Sequence, residues 1–321
     1  MESQHTVSPD EIQHAASLLR AGKLVAFPTE TVYGLGANAM DAEAVARIFT
    51  AKGRPHTSPI IVHVSSMEMA RQVVSEWPKQ AESLAQKFWP GPLTLVLKKQ
   101  LAVPGLVTAG LDTVGVRMPA HPLALALIAA AQVPVAAPSA NRFTQLSPTT
   151  ADHVRQSLGD RVDYILDGGP CPVGIESTVL SLTGGAPLLL RPGGVSRRQM
   201  EQFIGPVASQ TGASTEAHPS PGMHPRHYSP RTKLLLTQDG TVPESGQGAY
   251  LQLHDRPRRP VREVVCMPSN AAEYAAQLYR VLHQLDAQHY DWIAVETPHD
   301  APEWEAVRDR LQRAATFKPE I

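Results

Sequence analysis

Residues 24–36 read LVAFPTETVYGLG, in which an apolar run ends at a proline and a row of polar side chains follows. The run 24–27 predicts a strand that stops at Pro28, because proline tends to end an element rather than lie inside it. Hydroxyl, carboxylate and phenol groups are therefore placed just beyond a strand end. Open α/β sheets bind ligands at that position. The segment predicts an α/β fold with a ligand site at this edge of the sheet.

The alternation of apolar runs with amphipathic helices continues to about residue 205 and favours a mixed α/β sheet. Strands are predicted at 24–27, 60–64, 93–97, 114–117, 133–137, 164–166, 178–182 and 188–191. Helices are predicted near 10–20, 42–51, 67–75, 79–88, 122–131, 149–157 and 197–203.

A change of composition divides the chain. From residue 208 to 232 the sequence is rich in Ser, Thr, Gly, Pro and His, which predicts a linker. A second, smaller α/β unit then has strands predicted at 233–236, 248–253, 261–267 and 292–295, with helices at 271–287 and 303–315. We therefore expect a first domain at 1–207, a linker or lid at 208–232 and a C-terminal α/β domain at 233–321.

The composition is that of a soluble globular protein, with 42 % hydrophobic and 18 % charged residues in a chain of 321. A net charge of −1 gives no global attraction to nucleic acid or membranes, so an anion site has to be local. No stretch reaches the roughly 20 apolar residues of a membrane span, and neither a signal peptide nor a transit peptide is expected. With two cysteines and no CxxC pair, we expect neither a disulfide framework nor a thiolate zinc site, and we expect a cytoplasmic protein.

The segment Gly34-Leu35-Gly36-Ala37-Asn38-Ala39 fits the relaxed dinucleotide pattern G-x-G-x-x-G/A after a predicted strand. Such a site also needs an acidic residue about 20 positions further on for the ribose. No Asp or Glu occurs between Glu43 and Glu68. The segment is better explained as a turn whose glycines allow a positive φ.

Two cations separated by one glycine, Lys52 and Arg54, follow the predicted helix at 42–51. Basic residues in a last helical turn complement the helix dipole, and Gly53 with Pro55 ends the helix. A structural role and a contact with an anionic ligand both remain open.

Two further arginines lie at strand ends. Arg117 follows Thr113 by four residues on the same strand face, and Arg191 ends another apolar run. An unpaired buried charge costs several kcal/mol, so each arginine needs a carboxylate or phosphate partner. A structural ion pair and a bound anion explain them equally well.

Hydroxyl groups occur near other predicted strand ends. Ser139 and Asn141 follow one strand, and Ser177 precedes another. Ser147 is predicted to be the N-cap of a helix with Pro148 at its first position. A capped helix N-terminus also presents free backbone N–H groups to a phosphate.

Several histidines in one segment can indicate a metal site, but the context of these histidines does not favour one. His218, His224 and His227 occur in the predicted linker without a nearby carboxylate or cysteine cluster, so solvent-exposed side chains are the better prediction. His63 ends a predicted strand, where a packing role is the simplest explanation.

Several separated motifs occur in an order that resembles the YrdC-like threonylcarbamoyl-AMP synthases in their longer, two-domain form. They are Lys-x-Arg at 52–54, Ser-x-Asn at 139–141, Gly-Ile-Glu-Ser-Thr-Val at 174–179, Leu-Arg-Pro-Gly at 190–193, Ser-Pro-Gly-Met at 220–223 and His-Tyr-Ser-Pro at 227–230. The resemblance covers nearly the whole chain. It implies an α/β fold with a twisted mixed-sheet YrdC-like catalytic domain and a smaller Rossmann-like C-terminal domain.

The resemblance implies a nucleotidyltransferase that converts L-threonine, bicarbonate and ATP, assisted by Mg²⁺, into threonylcarbamoyl-AMP and pyrophosphate. The product would serve a downstream transferase that modifies tRNA, and whether the chain itself binds tRNA weakly stays open. Lys52 and Arg54 would be the catalytic cations. The implied ATP contacts are Arg54, Ser58, Thr113, Ser139, Asn141, Ser147, Arg191 and Tyr228, the last as part of a lid. The implied threonine contacts are Thr31, His63, Arg117 and Ser177, and no residue is assigned as a metal ligand.

Two alternatives use the same residues. A concave basic face could bind double-stranded RNA or tRNA, but the neutral overall charge argues against a phosphate-binding surface of that kind. Carbamoyl transfer for metal-centre maturation would keep the adenylylation chemistry, but that larger system needs domains with zinc-ligand cysteines, which two cysteines cannot supply.

Overall fold

The computed structural model describes residues 7–209 and 227–315. In the first of these ranges a mixed sheet of ten strands forms, in the order β10-β9-β8-β4-β5-β3-β6-β2-β1-β7. Its strands are β1 Val25–Phe27, β2 Gly34–Asn38, β3 Val62–His63, β4 Leu93–Lys98, β5 Thr113–Arg117, β6 Val135–Ala136, β7 Tyr164–Ile165, β8 Thr178–Ser181, β9 Leu188–Arg191 and β10 Ala208–Ser209. Its helices are α1 Pro9–Arg20, α2 Ala42–Lys52, α3 Met67–Val73, α4 Lys79–Phe88, α5 Pro122–Ala131, α6 Ala151–Leu158 and α7 Arg197–Ile204.

The prediction of a turn at Gly34-Leu35-Gly36 is wrong, because this segment belongs to β2. It pairs antiparallel with β1, with Gly36 opposite Val25 and Gly34 opposite Phe27. A Cβ atom on Gly36 would lie 2.8 Å from a ring carbon of Phe27 and 2.9 Å from a methyl of Val135. The glycine is needed for close packing, so conformational freedom is not the reason for its presence.

The predicted start of the sixth helix is also wrong. Helix α6 begins at Ala151, and its N-cap is Thr150, whose side chain accepts a hydrogen bond from the backbone of His153. Ser147 lies outside the helix and uses its hydroxyl elsewhere, so it does not form the predicted phosphate seat at a helix N-terminus.

The second unit is a parallel four-stranded sheet in the order β11-β14-β12-β13. Its elements are β11 Lys233–Thr237, β12 Gly248–Gln252, β13 Glu263–Cys266, α8 Ala271–Asp286, β14 Trp292–Glu296 and α9 Glu305–Ala314. Its hydrophobic core includes Leu278 and Leu282 of α8, together with Val32, Leu146 and Ile175 of the first sheet's loops. The second domain is therefore packed directly on the loops that follow the strand ends.

The predicted linker is described only at its two ends. Ala208 and Ser209 form β10, which pairs with β9, and the chain is described again from His227. His227, Tyr228 and Ser229 are all buried. The linker residues between them, including the predicted Ser-Pro-Gly-Met motif, His218 and His224, lie outside the described residues. Within the described ranges, no helix has the length and apolar character that a membrane crossing requires.

Candidate active site

A cleft lies where strand ends of the first sheet meet the linker, and its empty volume is about 540 Å³ when the solvent at its mouth is included. Eight of the predicted ATP and threonine contacts line it. They are Thr31, Arg54, His63, Arg117, Ser139, Ser177, Arg191 and Tyr228. The sheet order explains this convergence, because β3 lies beside β5 and β8 lies between β4 and β9. Residues distant in sequence therefore meet at one edge.

Arg117, at the end of β5, has the carboxylate partner that its burial requires. Its Nη2 lies 2.6 Å from Oε1 of Glu30, and both side chains are almost completely buried. Its Nη1 donates to the hydroxyl of Thr31 at 3.0 Å, and its Nε donates to the carbonyl of Gly91 at 3.1 Å. The Arg117 guanidinium is thus held in a fixed orientation beside the hydroxyl of Thr31.

His63 neighbours Arg117 across the β3–β5 pair. Burial first, and then the charge of Arg117, lower the pKa of His63 to about 3, against hydrogen bonding that raises it. The ring is therefore neutral at physiological pH. Its Nδ1 is buried and has no hydrogen-bond partner within the described part of the chain. The packing role predicted for His63 accounts for its contact with Phe27 but not for this nitrogen, which remains able to accept or donate one bond.

Lys52 is the last residue of α2, and its side chain is buried rather than exposed in a loop. The ammonium donates to the backbone carbonyls of Ser139 and Asn141. Burial first, and then the nearby Arg54, hold the pKa of Lys52 well below its usual value. Gly53 ends the helix in the left-handed conformation, with φ of 63°. Lys52 supports the 139–141 loop from behind and is not part of the cleft lining.

Arg54 reaches the cleft itself. One of its terminal nitrogens donates to the carbonyl of Pro59 at 3.0 Å, and the guanidinium lies over the ring of Phe143. Its Nε is buried without a hydrogen-bond partner among the described residues. Burial lowers the pKa of Arg54 to about 10, and the charge of Arg191 adds to this effect, while Tyr228 opposes it. Two like charges and an unsatisfied donor make this part of the cleft attractive to an anion.

Arg191 and Ser177 are joined at the other side of the cleft. Nε of Arg191 donates to the carbonyl of Ser177 at 3.0 Å, and Nη2 donates to its hydroxyl at 3.1 Å. The Ser177 hydroxyl also shares a hydrogen bond of 2.8 Å with Thr94. These bonds fix the orientation of both groups.

The structure does not bring every predicted contact to the cleft lining. Thr113 lies at the opposite end of β5 from Arg117, where it pairs with Lys98. Ser58 and Asn141 are buried near the cleft but do not line it, and Asn141 uses its amide to brace the carbonyls of Arg142 and Gln145. Ser147 is also absent from the lining and donates its hydroxyl to a carboxylate that is part of it.

That carboxylate, Glu176, was not predicted as a site residue. It accepts from the Ser147 hydroxyl at 2.5 Å, from the Tyr279 hydroxyl at 3.1 Å and from Nε of Arg310 at 2.6 Å. Burial raises its pKa, but Arg310 and then Arg191 outweigh burial, so the pKa of Glu176 lies below its usual value. A carboxylate placed just before a buried strand was a usable signal in the sequence. Its ion-pair partner Arg310 lies 134 residues further along the chain, and no feature of the sequence indicated that pairing.

Tyr228 covers one side of the cleft. Its backbone adopts a φ of 60°, which is uncommon for a residue other than glycine. Its hydroxyl lies 3.5 Å from Nη1 of Arg191, and its ring lies 5.1 Å from the guanidinium carbon of Arg310. His227 beside it is buried between Phe143 and Tyr228, so the prediction of a solvent-exposed side chain is wrong for His227.

The donor set of the cleft suits anions better than metal ions. Across residues 7–209 and 227–315, no group of three or more His, Cys, Asp or Glu side chains could hold a metal ion. Both oxygens of Glu176 already accept hydrogen bonds. The described residues therefore provide no metal-ligand set, and a cation would have to be carried by its ligand's own oxygens and water. Three buried arginines, Arg54, Arg117 and Arg191, together with hydroxyls can hold negatively charged groups and stabilise developing negative charge.

Comparison with known proteins identifies relatives over nearly the whole chain. Residues 17–193 match the Sua5/YciO/YrdC family, described as "Telomere recombination", and residues 195–316 match "Threonylcarbamoyl-AMP synthase, C-terminal domain". Threonylcarbamoyl-AMP synthase of Pyrococcus abyssi is 41 % identical over 96 % of this chain and 95 % of its own. The Bacillus subtilis protein of the same name is 42 % identical over 95 % and 93 %. The crystal structure of P. abyssi Sua5 complexed with L-threonine is 40 % identical, with a TM-score of 0.91 over 97 % of this chain and 96 % of that one.

Proposed function

The chain belongs to the family of two-domain threonylcarbamoyl-AMP synthases, and from this premise we propose how its cleft carries out the reaction. The substrates are L-threonine, bicarbonate and ATP, and the products are threonylcarbamoyl-AMP, pyrophosphate and water. The observation that supports this arrangement most directly is the presence of three buried arginines and several fixed hydroxyls around one cleft. That combination suits two anionic substrates and an amino acid.

The chemistry requires positioning more than covalent help from the protein. The threonine ammonium first loses one proton to solvent, and the free amine then attacks bicarbonate and, with loss of water, forms an N-carboxy group. A carboxylate oxygen of this group attacks the α-phosphorus of ATP, and the bond to the β-phosphate oxygen breaks as pyrophosphate leaves. Negative charge accumulates on the leaving pyrophosphate, where fixed cations stabilise it.

We assign the threonine end of the cleft to Arg117, Thr31, His63 and Ser177. Arg117 pairs with the threonine carboxylate, for which Glu30 holds the guanidinium in place. Since Arg117 is already neutralised by Glu30, a zwitterion that brings its own positive charge suits this end of the cleft. The neutral ring of His63 offers its unpaired Nδ1 for one hydrogen bond to the substrate.

We assign the nucleotide end to Arg54, Arg191, Ser139 and Tyr228. Arg54 has an unsatisfied donor and like-charged neighbours, and both disadvantages disappear when phosphate oxygens bind there. Lys52 acts on the same end through the carbonyls of the 139–141 loop. Ser58, Thr113, Asn141 and Ser147 are not part of the cleft lining, and their contacts with ATP remain assignments from the family resemblance.

Mg²⁺ is proposed to enter with ATP and to be held by phosphate oxygens and water. It would neutralise phosphate charge, and no step of the mechanism here is assigned to it, since the described residues supply no ligand set. The enzyme is proposed to work in the cytoplasm, where a downstream transferase would consume the product during tRNA modification. Direct RNA binding by the cleft is not favoured, because its arginines are at most 7 % exposed and cannot reach a duplex backbone.

Product identification tests this proposal. The protein is incubated with ATP, L-threonine and ¹³C-bicarbonate, and the products are separated and analysed by mass spectrometry. An adenylate that contains both threonine and the labelled carbon is the expected product. Consumption of ATP without any adenylate carrying the label would refute the assignment.

A further inference from the structure

One buried arginine of the second domain makes three contacts beside the active site, two with the first domain and one with the linker. The side chain of Arg310, on α9, is 0 % exposed. Its Nε donates to Glu176 at 2.6 Å and its Nη2 donates to the carbonyl of Pro192 at 3.0 Å. Its guanidinium carbon lies 5.1 Å from the centre of the Tyr228 ring. All three partners belong to the first domain or to the linker.

Each partner is connected to a proposed ATP contact. Glu176 accepts the hydroxyl of Ser147 with the oxygen that Arg310 leaves free. Pro192 directly follows Arg191, so the bond to its carbonyl fixes the chain at that arginine. Tyr228 is itself the proposed lid residue. Arg310 does not line the cleft, so it has no direct contact with a ligand there.

The charge of Arg310 is balanced within the same cluster. Asp309 accepts from Nη1 of Arg310 at 2.5 Å and from Nε of Arg313 at 2.9 Å, while Glu176 accepts from Nε of Arg310. Tyr279 of α8 donates its hydroxyl at 3.1 Å to Oε2 of Glu176, the oxygen that also accepts from Arg310. The second domain thus supplies both a cation and a hydroxyl to a carboxylate that the first domain places in the cleft.

We propose that Arg310 is a positioning residue through which the C-terminal domain sets the geometry of the ATP end of the active site. Arg310 fixes three groups relative to one another. They are Glu176, which accepts the Ser147 hydroxyl, the Arg191–Pro192 turn, and the ring of Tyr228. This inference rests on the proposed function for its account of catalysis, but its effect on nucleotide binding can be measured separately. It gives the second domain a specific role in the reaction of the first.

The test compares Arg310→Met with Arg308→Met on the same helix. Arg308 pairs with the exposed Asp300, away from the cleft, and serves as the matched control. ATP affinity is measured by calorimetry, and kcat and KM are measured for pyrophosphate release with ATP and with threonine varied. Displacing a substrate group by about 1 Å can cost roughly a hundredfold in rate. We expect Arg310→Met to weaken ATP binding at least tenfold and to lower kcat/KM for ATP tenfold to hundredfold, with KM for threonine changed less than threefold.

A purely structural role would give a different result. Arg310→Met leaves the buried Glu176 without its ion-pair partner, with hydrogen bonds from Ser147 and Tyr279 only, which destabilises the protein by itself. The double variant Glu176→Gln with Arg310→Met removes both charges, and it should recover most of the lost unfolding temperature while ATP affinity stays at least tenfold weaker. Recovery of both stability and ATP affinity would overturn the proposal, as would equal ATP affinities of Arg310→Met and Arg308→Met.

The calorimetric measurement separates this inference from the proposed function. If the wild-type protein binds ATP but forms no adenylate with threonine and bicarbonate, the proposed function fails, and the affinities of the variants still decide the role of Arg310. A wild-type protein that does not bind ATP would overturn both.

Discussion

Replacing Lys52 by Met should lower both stability and activity, because Lys52 supports a loop of the active site from inside the protein. The ammonium is buried and donates to the carbonyls of Ser139 and Asn141. Without the ammonium, the Ser139 carbonyl still accepts from the backbone N–H of Asn141 at 3.0 Å, so one buried acceptor is left unsatisfied, at a cost of about 1–3 kcal/mol. For a domain of this size a loss of about 2 kcal/mol corresponds to roughly 4–8 °C in unfolding temperature.

Activity should fall with stability, but for a separate reason. Ser139 lines the cleft, and the 139–141 loop that carries it would lose two anchoring bonds. A displacement of about 1 Å at a substrate-positioning group costs roughly a hundredfold. We expect kcat/KM for ATP to fall by about that factor at a temperature where the variant is still folded.

Thermal unfolding and pyrophosphate-release kinetics measure the two effects, with Lys98→Met as the control. Lys98 forms an exposed ion pair of 2.8 Å with Glu76, and solvent screens that pair, so its loss should leave the unfolding temperature nearly unchanged. If Lys52 only complemented the dipole of α2, its replacement would cost about 0.3–1 kcal/mol and leave activity intact. That result would refute the role assigned to Lys52.

Three further predictions concern the cleft. Arg54→Gln should lower turnover roughly a hundredfold, because a cation that stabilises the leaving group is lost. The unfolding temperature should not fall, because Lys52 and Arg191 beside Arg54 carry charges of the same sign. A fall in unfolding temperature with unchanged specific activity would show that Arg54 has a structural role instead. His63 should make the protein less stable in acid, because its pKa is about 3 in the folded protein and 6.5 in the unfolded chain. As the pH falls from 6.5 towards 3, the unfolded chain binds the proton and the folded protein does not, so the equilibrium shifts towards unfolding. Between pH 6.5 and 4.5, the His63→Gln variant should therefore lose roughly 2 kcal/mol less stability than the wild-type protein, as measured by urea unfolding. The same pH dependence of stability in both proteins would contradict this. Tyr228→Ala should weaken ATP binding at least tenfold. Tyr228→Phe keeps the ring beside Arg310 and should weaken ATP binding less than threefold. Equal losses of affinity in the two variants would show that the hydroxyl, and not the ring, holds the lid.

The strand-end residues could be predicted because the pattern of apolar runs is local. Arg117 and Ser177 each adjoin a strand whose burial is visible in the sequence, and the sheet order then brings them to one cleft. Strand β2 was missed because its two glycines resemble a turn, although close packing against Phe27 and Val135 is what requires Gly36.

Contacts between distant segments could not be predicted from single positions. Lys52 resembles a helix-capping cation in sequence, and only the fold shows that its ammonium enters the interior and reaches the 139–141 loop. The Arg310–Glu176 pair joins two domains across 134 residues. No local pattern specifies such a pair, because its partners are selected by the packing of α8 and α9 on the first domain.

The proposed mechanism forms the nucleophile toward ATP from threonine and bicarbonate together. It is tested most directly by following γ- and α-labelled ATP while each of the two other substrates is omitted in turn, in buffer freed of carbon dioxide where bicarbonate is left out. Pyrophosphate should be released only when both are present, with AMP appearing in the adenylate product. Release of ADP, or release of pyrophosphate at the full rate without threonine or without bicarbonate, would contradict it.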